Sequence, residues 1–284
     1  MNIARLRRKS ADISIYVLLS VLGVFWVLPI FYLVYTAFRI TPSTGIINTL
    51  FPDNLQLGLG NFTRLFADTA FSKWLLNTVV VASSSCLLTT AFILMVSYAF
   101  SRLRFKMRKP LMNVVLVLGM FPGFMSMIAI YFLLKAMGLT NSLLALVLVY
   151  SGSAALSYYI CKGFFDTVPR AMEEAAILDG ANQPTVFWKI IMPMAKPIIV
   201  YTVLTSFISP WCDFIFVNTI ISDREKYTVS LGLYKMINSE KNSFNDNFTV
   251  FCAGAFVVGA IIVTLFMSMQ RYYVEGITGG AVKG

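Results

Sequence analysis

The chain has 284 residues, 58% of them hydrophobic and only 13% charged, with a mean hydropathy of +0.75. A soluble domain carries about 25% charged residues, so this composition excludes an ordinary soluble fold and points to a bilayer. The formal charge of +10 comes from basic residues that flank apolar stretches and form no aromatic-basic surface, so no nucleic acid is expected as a partner; the absence of histidine removes the commonest metal ligand and general base.

Six apolar stretches read as membrane spans, at approximately 13–38, 74–100, 110–134, 142–161, 198–222 and 248–270. A helix needs roughly 20 apolar residues to cross the hydrocarbon core, and no backbone group can stay unpaired there. The expected fold is therefore all-α and polytopic, with six transmembrane helices in a single domain over residues 1–284. The alternating short segments of a barrel are absent.

Taken in chain order, the run Arg5 to Lys9 precedes a long first span with no small-residue cleavage pattern, which reads as an uncleaved helix. Residues 39–73 carry Pro42, Gly45, Pro52, Gly58 and Gly60, a turn-rich external loop with one short helix near Asn61 to Phe66. In the second span Ser84 and Thr89 are candidates for contact with a polar solute, and hydrogen bonding between helices is their other use. Pro122-Gly123 predicts a kink or local unwinding in the third span, as a pathway feature or one absorbed by packing. Small residues in the fourth span (Gly152 to Ala155) and the sixth (Ala255, Gly259) permit close helix contact.

Between the fourth and fifth spans, residues 166–197 form a polar insertion that reads as a helix-turn-helix. Pro169 suits a first helical position, Gly180 a left-handed helix end, and Pro184 the opening of a second short helix. A plain connection between spans would be shorter, so docking of a soluble partner is expected here. Asp213 is an acid well inside the fifth span, where a charge costs about 2.5 to 3.5 kcal/mol. A place in a polar interior, a pairing with a neighbouring helix, and a position nearer the interface are the three readings open to it. Residues 223–247 are polar and balanced in charge, fit for water or a soluble partner. The glycine-rich end from Gly276 to Gly284 would be disordered in isolation. Cys86, Cys161, Cys212 and Cys252 fall in or at the edge of spans and read as small apolar residues, with no disulfide or metal site implied.

Orientation follows from the basic residues. Fifteen Lys and Arg lie at the N-terminus, at 102–109, in the 162–196 region and in the tail at 271–284; eight lie on the other side. The richer side, with both termini, should be cytoplasmic.

Glu174, Ala175, Ala176, Gly180, Ile190 and Pro193 resemble the loop of bacterial ABC importer permeases: Glu-Ala-Ala, three residues, Gly, nine residues, Ile, any residue, Leu-Pro. Met192 stands where Leu is usual, a change that conserves volume and apolarity. Val168-Pro169, Asp179-Gly180-Ala181 and Phe187 to Ile190 resemble the carbohydrate-importer branch, and the chain end through Gly279, Gly280, Ala281, Val282, Lys283 and Gly284 is similar to MalG-type permeases. Trp211-Cys212-Asp213-Phe214 resembles a Trp-Asn-Asp-Phe pattern of that branch, with Cys212 removing the amide.

The resemblance implies an ABC type I importer permease fold in a bacterial cytoplasmic membrane. It implies a MalF-like second permease, two ATPase subunits holding ATP and Mg, and an extracytoplasmic sugar-binding protein. The solute would be an oligosaccharide of the maltose or maltodextrin kind, with alginate- or raffinose-type oligosaccharides as alternatives, and a MalG-type subunit would touch it little. Glu174 would pair with a basic group on the ATPase, Ala175, Ala176 and Gly180 would let it approach, and the tail would reach between the ATPase subunits. Ile177, Leu178, Ile190 and Ile191 are expected to hold the helix pair together. No Gly-x-x-x-x-Gly-Lys-Ser/Thr loop occurs, so the chain is not expected to be the ATPase or another enzyme, and no cofactor of its own is expected. An ion-coupled secondary transporter should show an inverted repeat and coupled intramembrane charges, which the sequence does not suggest.

Overall fold

The computed structural model describes residues 3–40, 56–120, 123–238 and 243–281, with the backbone alone at 3–11, 124, 243–246 and 271–281. Among these residues the chain is helical, with a single isolated bridge between Arg39 and Leu57. The helices are α1 (Ile3–Phe38), α2 (Gly60–Ala67), α3 (Phe71–Arg102), α4 (Arg108–Gly119), α5 (Gly123–Ala136), α6 (Leu143–Gly152) and α7 (Ala155–Thr167). They continue as α8 (Arg170–Leu178), α9 (Gln183–Thr185), a π-helical turn (Val186–Ile191), α10 (Met192–Met194), α11 (Lys196–Cys212), α12 (Ile215–Ile220), α13 (Val229–Asn238) and α14 (Ser243–Ala281).

Among the described residues three stretches are single helices long and apolar enough to cross a membrane: Asp12–Phe38, Phe71–Arg102 and Asn247–Gln270. The other three expected spans are not continuous. Residues 110–134 divide into α4 and α5; Pro122 itself lies outside the described residues, and the expected break is bounded by Gly119 and Gly123. Residues 142–161 divide into α6 and α7, bent by 43°. Residues 198–222 divide into α11 and α12, with Asp213 in extended backbone at the end of α11 (φ −88°, ψ 109°).

Two compact units are present. In the unit of Met1–Thr69 and Lys235–Gly259, Asn61 is buried and its amide donates to the carbonyls of Ala37 (3.0 Å) and Arg39 (2.7 Å), satisfying the open end of α1. Phe38, Phe62 and Phe256 meet there with ring centroids 5.0 to 5.9 Å apart. The short helix expected near residues 61–66 is α2.

In the unit of Ala70–Tyr234 and Ala260–Gly284, α3 packs against α6, α7 and α11 and joins two cores. One core gathers Val81 of α3, Leu146 of α6, Val217 of α12 and Leu231 of α13, all buried. Beside it Gly232 lies so close to the Trp74 ring that a Cβ would fall 2.2 Å from it. The Asn77 amide donates to the carbonyls of Glu225 and Tyr227, both at 2.9 Å, and the Thr78 hydroxyl accepts from the Val229 N–H at 2.8 Å. The segment read as a polar loop at 223–247 thus contributes a packed helix, α13. The other core lies at the far end of α3 and carries the polar insertion.

Candidate functional site

Residues 166–197 fold as a paired-helix knob. Pro169 is the N-cap of α8 rather than its first residue, with extended backbone (φ −61°, ψ 127°). Gly180 adopts φ +86°, and the end of α8 closes with Ala181 N–H on the Ala176 carbonyl (2.9 Å) and Gly180 N–H on that of Ile177 (3.0 Å). This pair of bonds is a Schellman motif, which needs the left-handed residue that glycine supplies. Asn182 then caps the second helix, its Oδ1 accepting from the Thr185 N–H (3.0 Å) and hydroxyl (2.7 Å), with Pro184 in the first turn. The segment Gln183–Met194 meets α11 at 81°, at Ala195, where Pro197 starts the new helix.

The knob is fixed to the rest of its unit by two devices. Phe187 packs edge-on to Tyr98 of α3 (4.9 Å), whose hydroxyl donates to the Gln183 side chain (3.2 Å); Phe165, Val186, Ile191 and Met192 are buried around them. The second device is Arg102 at the end of α3. Its Nη2 donates to the carbonyls of Phe165 (2.7 Å) and Val168 (2.8 Å), while its Nε lies 2.6 Å from Oε1 of Glu173 in a close ion pair without an aligned hydrogen bond. Both side chains are nearly sealed from solvent, at 4% and 11% exposure. One guanidinium therefore joins α3, the end of α7 and the first turn of α8, a task that suits its rigid fork of donors. Nearby, Ser101 donates to Asp166 at 2.6 Å and Lys162 pairs with the same carboxylate.

Among the residues singled out from the sequence, Glu174 and Ala175 are exposed, Ala176 and Ile190 are half-buried, and Gly180 and Pro193 are exposed. The expectation for the apolar residues is corrected in part: Ile191 is buried in the core as expected, but Leu178 is 87% exposed and Ile177 46%, so neither of these holds the pair together. That role falls to Val186, Phe187, Ile191 and Met192, because Glu173 and Ala176 set the inward face of α8 and turn its terminal residues outward. Trp188, 65% exposed, adds to the apolar surface of the knob. Arg102 and Glu173 were not singled out; a basic residue ending a span and an acid beside the Glu-Ala-Ala run were the available signals. Gly279, Gly280 and Ala281 continue α14 as backbone helix, since extending a helix needs no new nucleus, whereas Val282, Lys283 and Gly284 lie outside the described residues.

The three helix breaks meet at one cavity of about 750 Å³. Gly119 and Gly123 come from the first break, Gly152, Ser153 and Ala155 from the second, Asp213 and Ile215 from the third. A Cβ on Gly119 would fall 3.2 Å from that of Ala155, so this residue lets α4 approach α7 closely. Asp213 is held on both sides: Oδ2 accepts from the Tyr150 hydroxyl (2.9 Å), Oδ1 from the Phe216 N–H (3.0 Å) as a cap on α12. The Ser230 hydroxyl donates to the Asp213 carbonyl at 2.8 Å. Both carboxylate oxygens thus have a partner, one on α6 and one in the first turn of α12. A second cavity of about 140 Å³ shares Tyr150, Ser153 and Ser209 with the first and includes Thr89, whose hydroxyl reaches the Tyr150 carbonyl at 3.4 Å. Ser84 is half-buried and lines neither cavity. No group of three or more metal-ligating side chains occurs among the described residues.

Residues 91–278 match the family described as the binding-protein-dependent transport system inner membrane component, a stretch containing both the knob and the cavity. The chain belongs to this family. It is 30% identical to the maltodextrin transport system permease protein MalD of Streptococcus pneumoniae, over 100% of this chain and 99% of that one. It is equally 30% identical to the galactooligosaccharides transport system permease protein GanQ of Bacillus subtilis, over 99% and 98%. The fold is similar to a solved bacterial ABC transporter involved in import of the acidic polysaccharide alginate, with a TM-score of 0.79, 21% identity, and coverage of 93% and 97%. As a transport-system inner membrane component the chain is a permease subunit with membrane helices.

Proposed function

We propose that this chain is one of two permease subunits of an ATP-driven importer for an oligosaccharide, with six spans once each broken pair counts as one crossing. The observation that carries the reading is the knob at 166–197, a rigidly mounted helix pair whose outward face displays Glu174, Ala175 and Leu178. Apolar residues kept in solvent on a polar helix pair mark a docking surface. A pair of ATPase subunits holding ATP and Mg would grip this surface on the cytoplasmic side. Glu174 would give a charge-assisted contact that transmits pull as well as push, and Gly279 to Gly284 would reach between the two ATPases. The motion would pass through Arg102 into α3 and through Ala195 into α11, toward the cavities at the helix breaks, where Asp213 and Thr89 would line the solute path. A MalF-like second permease and an extracytoplasmic sugar-binding protein complete the complex, and both termini of this chain face the cytoplasm. Maltodextrin is the leading solute, since several relatives are named for maltodextrin transport; galactooligosaccharides are the alternative that GanQ, at the same identity, supports.

Cysteine labelling tests this reading. Leu178→Cys in a Cys212→Ser background, treated with a membrane-impermeant maleimide, should react in inverted vesicles and become protected when the ATPase subunits are added. Labelling only from the opposite face, or no protection, would contradict it.

A further inference from the structure

The break-lined cavity has a chemical character that goes beyond a generic path. Among the described residues its lining carries hydroxyls from Ser126, Ser153 and Ser209, the phenol of Tyr150, apolar surface from Phe216, and one acidic group, Asp213, with no Lys or Arg. Non-helical backbone at membrane depth persists only where protein buries it or where it borders a wet cavity, and three successive broken helices border this one. Its volume of about 750 Å³ lies in the range of roughly 300 to 1,000 Å³ in which small ligands are held.

We infer that this cavity is a contact site for neutral, polyhydroxylated solutes, and that Asp213 is the residue that selects them over carboxylated ones. This rests on the reading of the chain as an oligosaccharide importer permease, and it departs from the expectation that such a subunit touches the solute little. Both Asp213 oxygens accept hydrogen bonds, from Tyr150 and from the Phe216 N–H. A carboxylate offers about four acceptor sites, so two occupied ones leave room for solute hydroxyls in charge-assisted bonds. Tyr150 and Phe216, 6.1 Å apart edge to face, present ring surface to the C–H faces of a sugar. A uronate meets the opposite situation: a like charge beside Asp213, with no cation lining the cavity among the described residues. The structurally similar alginate importer handles an acidic polysaccharide; the lining here is unsuited to one.

The test uses the assembled complex of this chain, its second permease and the ATPase subunits in lipid nanodiscs, without the binding protein, so that selection by the latter is removed. Saturation-transfer NMR titrations with maltotriose and with trigalacturonate compare native protein, Asp213→Asn and Tyr150→Phe. Asparagine also caps helices, so Asp213→Asn retains the break while removing the charge. The native complex should prefer maltotriose at least tenfold; Asp213→Asn should narrow the preference to threefold or less by gaining trigalacturonate; Tyr150→Phe should weaken maltotriose severalfold with the preference retained. The same preference in native and Asp213→Asn, or no binding of either probe, overturns the inference. ATP-driven oligosaccharide uptake by the complete native importer separates the two levels: uptake present with unchanged selectivity sinks only the role of the cavity, while absence of any oligosaccharide uptake sinks the functional reading and the inference together.

Discussion

Arg102 and Glu173 form the pair on which the mounting of the knob depends, and the two partners do not contribute alike. Burial pushes the Glu173 carboxyl above its ordinary range, and the pull of Arg102 and Arg170 does not offset it. A carboxyl raised in the fold contributes stability that is full below the ordinary value and is lost as pH rises through the native one. At neutral pH, Glu173→Gln should therefore cost less than removal of the cation, because Arg102 keeps its bonds to the Phe165 and Val168 carbonyls. Arg102→Met should cost about 3 to 5 kcal/mol, since it leaves a buried carboxylate and two carbonyls without their cation; thermal unfolding of the purified complex at pH 7.5 would show the asymmetry, and equal losses would refute it. Asp166 behaves oppositely. Burial raises it, yet hydrogen bonds from Lys162 and Ser101 outweigh that and hold it below the usual carboxylate value. Its contribution is present at neutral pH and disappears as pH falls through the depressed value, so Asp166→Asn should flatten the acid limb of the stability profile.

At the scale of elements, the ends of the knob helices are set by local chemistry and their faces by tertiary contact. Gly180 and Pro184 were legible in the sequence because a left-handed turn and a first helical turn each ask for a particular residue. Gly180→Val should strain the φ of +86° by about 1 to 2 kcal/mol, and Asn182→Ala should cost about 1 kcal/mol of cap. Hydrogen exchange at the amides of residues 185–187 should accelerate in both; unchanged exchange would mean that packing on Tyr98 alone holds the second helix. The inward faces were not legible, because α8 has only nine residues and its orientation follows from an ion pair with a residue far away in sequence. The breaks were legible only at Pro122-Gly123. Ser153 and Asp213 carry no imino ring, and it is the bond from Tyr150 and the cap on Phe216 that make a break at Asp213 stable. An intramembrane acid announced that something was there, without saying that it was a helix end.

For the whole molecule, composition alone fixed the helical membrane class, since a chain 58% hydrophobic has few other stable solutions. The motif at 174–193 pointed to the family that residues 91–278 match. Substrate was the least legible property: relatives of equal identity are named for maltodextrin and galactooligosaccharide transport. In the proposed mechanism, motion of a partner ATPase reaches the solute path through the knob, with Glu174 in the contact. It is tested most directly by ATP-driven uptake of maltotriose into vesicles holding the complete complex, comparing native chain with Glu174→Lys. The native complex should take up maltotriose, and the variant should lose at least tenfold with subunit assembly intact. Native uptake that persists unchanged in the variant would contradict it.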